Sequence, residues 1–179
     1  MEPVRKSHNI GLTYGLIAGL IICIIALIQY LGGLKTYMSP LGYLTYIILI
    51  VMAVLAGQKQ KSLNGGYLEF KEGLKVTFAV FASALLLQTL FTYVLFNFID
   101  PSFKEALAQE IMNKTEELMR KFGASDSQID EALENERGKD PFAFGRVLLG
   151  YGISCIVAFI VCLIISAIIK KNRPAFPTI

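Results

Sequence analysis

The sequence is poor in charge, and the charge it has is unevenly spread. Asp, Glu, Lys and Arg make up 17% of its 179 residues, against roughly 25% in a soluble domain. None of them, and no histidine, falls within Ile10–Leu31, Thr36–Gln58, Val76–Ile99 or Val147–Ile169. Proton relays and ion-coupled carriers place ionisable groups at membrane depth, so both classes lack their usual machinery here.

Catalytic constellations are equally scarce. The single histidine is His8. A Ser/His/Asp triad would have to join it to acids on the far side of a membrane. There is no Walker-type loop, no GxSxG and no HExxH. The three cysteines, Cys23, Cys155 and Cys162, lack CxxC spacing and read as small apolar core residues. Asp126, Asp130, Glu131, Glu134, Glu136 and Asp140 lack the glycine and the ligand alternation of an EF-hand. They read as a solvated helix face. The expectation is a protein without catalytic residues, metal or cofactor, and without a nucleic-acid partner.

What the sequence has is apolar length. Hydrophobic residues make up 54%, and the mean hydropathy is +0.55. A bilayer core about 30 Å thick needs roughly 20 helical residues, and each uncharged run is long enough. None shows the alternation over about ten residues that a β-barrel strand requires. The first run is longer than a signal-peptide core and no A-x-A-like site follows it, so it is expected to be retained. The prediction is an all-α, integral membrane four-helix bundle forming one domain over 1–179. Its spans lie at about 10–31, 37–57, 76–99 and 147–169, and residues 100–146 form an outer amphipathic insertion.

Charge sets the expected topology. Lys59, Lys61, Lys170, Lys171 and Arg173 hug span ends on one side, with Arg5, Lys6, Lys71 and Lys75. The positive-inside rule puts that side, and both termini, in the cytoplasm. Arg137, Lys139 and Arg146 on the outer loop pull the other way.

Small residues mark the helix-packing faces. Gly11, Gly15 and Gly19 make a doubled GxxxG in the first span. Helices in lipid associate where small residues let backbones approach. Gly150, Ser154 and Ala158 repeat the spacing in the fourth span, and the two faces are expected to meet. The same glycine stripe suits a homodimer. Ser39-Pro40 reads as the capped start of the second span.

The third span is the most polar. Gln88, Thr89, Thr92, Tyr93 and Asn97 form a candidate polar intramembrane site. Structural bonding across helices is one reading of them; a permeation or ligand site is the other.

The outer segment opens Asp100-Pro101, a cap followed by a first-position proline. Phe103, Leu107, Ile111, Leu118 and Phe122 fall in one arc of a helix that Gly123 ends. Ser125 and Gln128 then make a capping box for a second helix. The segment is expected to be an extracytoplasmic helical hairpin between spans three and four. Its apolar arc either forms a lid over the span ends or docks a partner. Lys104, Lys114 and Lys121 beside it would snorkel if the helix lay on the membrane.

Taken in order, three features resemble domain-of-unknown-function family 4199, small four-span membrane proteins found mainly in Bacteroidota. They are Phe70-Lys71-Glu72-Gly73-Leu74-Lys75 entering span three, Ile99-Asp100-Pro101-Ser102-Phe103 entering the loop, and a glycine-marked fourth span, Gly150 to Ser154, that ends in Lys170-Lys171. The likeness covers roughly residues 8 to 172. It implies a bacterial inner membrane, four helices and the outer insertion, and it brings no activity or catalytic residue. The functional expectation is a non-enzymatic accessory or scaffolding subunit, with the lipid bilayer and a second copy or another membrane protein as partners. The alternative is a small permease or channel component using the polar face of span three.

Overall fold

A computed structural model describes the backbone of residues 7–173 and side chains from Ile10 to Arg173. Arg5, Lys6 and the His8 side chain lie outside the described residues. The fold is all-α. Its helices are α1 (Ser7–Leu31), the short α2 (Leu34–Tyr37), α3 (Leu44–Leu63), α4 (Phe70–Val94), α5 (Pro101–Lys121), α6 (Asp126–Glu136) and α7 (Phe144–Ile169). Four helical stretches, Ile10–Leu31, Leu34–Leu63, Phe70–Ile99 and Phe144–Ile169, are long and apolar enough to cross a membrane. Their length and composition mark a membrane protein.

The second stretch does not begin as the sequence suggests. Ser39 caps nothing; its hydroxyl donates back to the Thr36 carbonyl at 2.6 Å. The reason is α2, whose last turn leaves carbonyls without an intrahelical donor. Pro40 instead opens a single 3-10 turn, Pro40–Tyr43, before α3 proper. That helix runs on through Lys59 and Lys61 to Leu63.

The chain forms two compact units, one through Phe91 and again from Gly150, the other Thr92–Leu149. The boundaries fall within α4 and α7, not at the ends of the apolar runs.

In the first unit the core is built from α1, α3, α4 and α7. Ala18, Ile22, Leu49, Ala53, Val80, Ala84 and Cys162 are fully enclosed. Large apolar side chains also face outward, among them Leu20, Ile24, Ile28, Ile47 and Ile164. Helices apolar on all sides are what a lipid surround permits.

The glycine face of α1 packs on α4. A methyl group at Gly11 would lie 2.7 Å from the Val76 carbonyl oxygen, and one at Gly15 2.7 Å from that of Val80. One at Gly19 would lie 3.2 Å from the Ala84 Cα. Backbones this close tolerate no side chain between them. The expected meeting of spans one and four through small residues is therefore corrected. Gly150 and Ser154 are exposed, and nothing lies within 4 Å of where a Gly150 side chain would begin. Of that trio only Ala158 is buried. The physical reason lies in α4, whose Ala79, Ser83 and Ala84 present small residues at the glycine register.

Helix α7 reaches α4 lower down. Phe159 packs edge-on against Phe78 at 5.7 Å, and the Tyr151 hydroxyl donates to the Ala82 carbonyl at 3.2 Å. Ascending numbers on α7 meet descending numbers on α4, so the two run antiparallel.

Within the second unit α4 passes into a π turn, Leu95–Ile99. It closes with the Asp100 amide donating to the Leu95 carbonyl at 2.9 Å. The Asp100 carboxylate then accepts from the Phe103 amide at 2.9 Å and caps α5, with Pro101 in its first turn. Gly123, at φ +80°, ends the helix, as only glycine does without strain. Ser125 and Gln128 form a reciprocal capping box at the start of α6.

Candidate functional site

A polar cluster sits at one end of the first unit, where α3 stops, α4 starts and α7 stops. Gln60 and Asn64 lie one turn apart on α3, hence on one face. The Gln60 amide donates to one Glu72 carboxylate oxygen at 2.8 Å, and the Asn64 amide donates to the other at 2.8 Å. Gln60 is 2% exposed. Its amide nitrogen also donates to the Asn64 side-chain oxygen Oδ1 at 3.2 Å. Its own side-chain oxygen has no hydrogen-bond partner among the described residues.

Around this clamp the chain is fastened twice more. Leu68 and Lys171 exchange backbone hydrogen bonds at 2.9 and 2.8 Å, and the Lys61 ammonium donates to the Ile169 carbonyl at 2.9 Å. Deeper in, the Thr77 and Ser166 hydroxyls lie 3.2 Å apart, both fully buried. The last carbonyl of α7, that of Ile169, thus finds a donor on α3, and the chain just beyond the helix pairs with the segment before α4. The cluster fastens the ends of α3, α4 and α7 to one another.

The polar residues of span three divide between the units. Gln88 and Thr89 belong to the first, where they are half-buried. Thr92, Tyr93 and Asn97 belong to the second. There Asn97 donates to the Tyr93 and Phe142 carbonyls, both at 3.1 Å, and accepts from Lys104 at 3.3 Å. Tyr93 packs edge-on against Phe98 and Phe144, at 5.9 and 5.8 Å. Asn97 and Tyr93 serve the packing of the second unit.

The arc on α5 also divides. Phe103 stacks on Phe96 at 5.7 Å, and Phe142 meets Phe96 edge-on at 5.0 Å. Leu107 is buried. Ile111, Leu118 and Phe122 are uncovered, Phe122 at 87% exposure. Lys104 donates to Asp140 at 2.8 Å. Lys121 pairs with Glu117 at 2.7 Å.

Three of the acids between 126 and 140 are ion-paired. Asp126 meets Arg120 at 2.7 Å, Glu136 meets Arg146 at 2.6 Å, and Asp140 meets Lys104. The hydrogen bond from Lys104, helped by the Phe142 amide, holds the Asp140 carboxyl below its usual range. The bond from Arg146 does the same for Glu136, and that from Lys121 for Glu117.

With Glu72 placed at the clamp and Asp100 at the α5 cap, two of the motifs behind the family resemblance have structural roles. A family model described as a protein of unknown function (DUF4199) matches residues 13–171. The chain belongs to this family. Comparison with curated proteins and with solved structures gives no match. The DUF4199 span includes every residue of the clamp, both partners of the Leu68–Lys171 bridge and the whole second unit.

Gln60, Asn64 and Glu72 were not singled out together by the sequence reading. In the sequence Glu72 looks like an ordinary acid near a helix start, Asn64 stands before a Gly-Gly pair, and Gln60 lies between Lys59 and Lys61. The available signal was the one-turn spacing of two amides facing an acid across a short Gly-Gly loop.

Proposed function

We propose that this DUF4199 protein is a non-enzymatic accessory or scaffolding subunit of the bacterial cytoplasmic membrane. In this reading the four apolar helices form a bundle with both termini in the cytoplasm, and α5 and α6 fold as a helical hairpin outside. The clustering of Lys59, Lys61, Lys71, Lys75, Lys170 and Lys171 where α3, α4 and α7 are fastened together supports that orientation.

One observation carries the partner-binding role. Leu118 and Phe122 are exposed at 54% and 87% on a helix otherwise rich in charge. Outward-facing leucines in the spans are satisfied by lipid, but this surface belongs to a polar helix. An apolar patch rimmed by charge is the usual mark of a protein contact. The permease alternative is less well supported, because Asn97 and Tyr93 are occupied by structural contacts.

The test is extraction of native membranes in mild detergent, followed by mass spectrometry and size analysis. The wild-type chain is expected to carry another membrane protein at a reproducible ratio. A chain with Leu118→Ser and Phe122→Ser is expected to lose it. Recovery of the wild-type chain alone, or only with itself, would overturn the accessory reading.

A further inference from the structure

Helix α4 carries an open cleft of about 450 Å³. Its floor is made of Ala79, Ala82 and Ser83 beside the Phe78 ring, and Leu12 of α1 and Tyr151 of α7 also line it. Lys75 stands at one end and Leu86 at the other.

The lining is almost wholly apolar once its hydroxyls are accounted for. Ser83 donates back to the Ala79 carbonyl at 2.6 Å, and Tyr151 donates to the Ala82 carbonyl at 3.2 Å. Neither needs a polar ligand. At 1.5 Å per residue, Lys75 to Leu86 covers about 16 Å of helix axis. That is close to half of a hydrocarbon core about 30 Å thick. The cleft thus has the length of one leaflet, with its cation at the surface and its apolar end near the midplane. Lys75 is exposed and joins no ion pair among the described residues, and Lys71 is exposed one turn away. The nearby Glu72 is occupied by Gln60 and Asn64.

We infer that this cleft holds one anionic phospholipid, its phosphate on Lys75 and one acyl chain laid over Ala79, Ala82 and Ser83. Length and charge favour a lipid as the occupant: a partner helix would run on across the whole hydrocarbon core, whereas the cleft ends about one leaflet from its cation. This inference uses α1, α4 and α7 only and stands apart from the surface on α5.

The test is native mass spectrometry of the full chain, purified in detergent and titrated with dioleoyl phosphatidylglycerol or dioleoyl phosphatidylcholine. Retention of the anionic lipid is expected to fall about fivefold in Lys75→Gln, the factor that corresponds to one lysine near an anionic lipid surface. Lys59→Gln, a cation at the same end but outside the cleft, should retain it as wild type does. Ala82→Phe fills the floor and should abolish the bound lipid. Leu86→Trp, at an exposed position that leaves the core untouched, shortens the cleft and should weaken binding even if Ala82→Phe fails to fold. Equal retention in Lys75→Gln and Leu86→Trp would overturn the assignment. So would an equal loss in Lys59→Gln, which would mean diffuse charge attraction. A change in oligomer size instead of lipid count would place a second copy in the cleft and also overturn it.

Discussion

The Gln60 amide donates to the Glu72 carboxylate at 2.8 Å, and Asn64 takes the other oxygen at the same distance. These bonds tie the last turns of α3 to the first turn of α4. Glu72→Ala would leave two amide groups without their acceptor, Gln60 being almost fully buried. Leaving a buried group unsatisfied costs about 1–3 kcal/mol. The expected outcome is a loss of that size in unfolding free energy, read from denaturant titration in detergent. An unchanged midpoint would mean that water replaces the carboxylate.

Gly15 and Gly150 make a matched pair of tests. A side chain at Gly15 would run into Ser83 and the Val80 backbone, whereas one at Gly150 would meet open space. Overpacking of a close contact costs typically 1–3 kcal/mol and occasionally more. Gly15→Leu should lower the thermal midpoint of the purified chain, and Gly150→Leu should leave it nearly unchanged. Equal effects would remove the α1–α4 contact as the use of the glycine stripe.

Phe96 is fully buried between Phe103 and Phe142. Phe→Ala in such a place costs roughly 3–5 kcal/mol. Loss of Phe103 together with Leu107 should act in the same way. Hydrogen exchange should accelerate in α5 and α6 while the amides of α1 keep their protection. Loss of protection in α1 as well would show the two units unfolding as one.

Acid should loosen the second unit before the first. Asp140, Glu136 and Glu117 all have carboxyls held below their ordinary values, first by hydrogen bonds from Lys104, Arg146 and Lys121. A lowered folded pKa means that the unfolded chain takes up protons first, so stability falls as pH falls. The contribution is complete above the unfolded carboxylate values, about 4. It disappears as pH drops through the lower folded ones. Limited proteolysis between pH 6 and pH 3 should show new cuts in 101–143 at the acid end. Lys104→Gln should remove the Asp140 share of that dependence.

The four apolar stretches, the Asp100 cap and the Ser125–Gln128 box were legible because each depends on residues close in sequence. Length, one proline and one three-residue spacing decide them. The partner of the α1 glycines was not legible. Small residues occur on both α4 and α7, and periodicity cannot say which face a third helix will meet. Ser39 misled because α2, one short turn upstream, competes for its hydroxyl. The arc on α5 was read as one face, yet only Leu107, which is buried, and Phe103, which stacks on Phe96, are covered. The ring cluster around Phe96 draws on residues from 96 to 142, a separation no local pattern reveals.

The backbone bridge between Leu68 and Lys171 has a consequence for how the protein is made. About a hundred residues separate its two halves, on the order of 5–20 s of synthesis at 5–20 residues per second. During that interval α3 and α4 can join through Gln60 and Glu72, but the peptide groups of Leu68 and the ammonium of Lys61 have no final partners. Both belong to the stretch where α3 gives way to α4, so water can serve them for that time. The seal at this end therefore forms late, when the last apolar helix has been threaded into place, and a ribosome that stalls before Lys171 leaves it open.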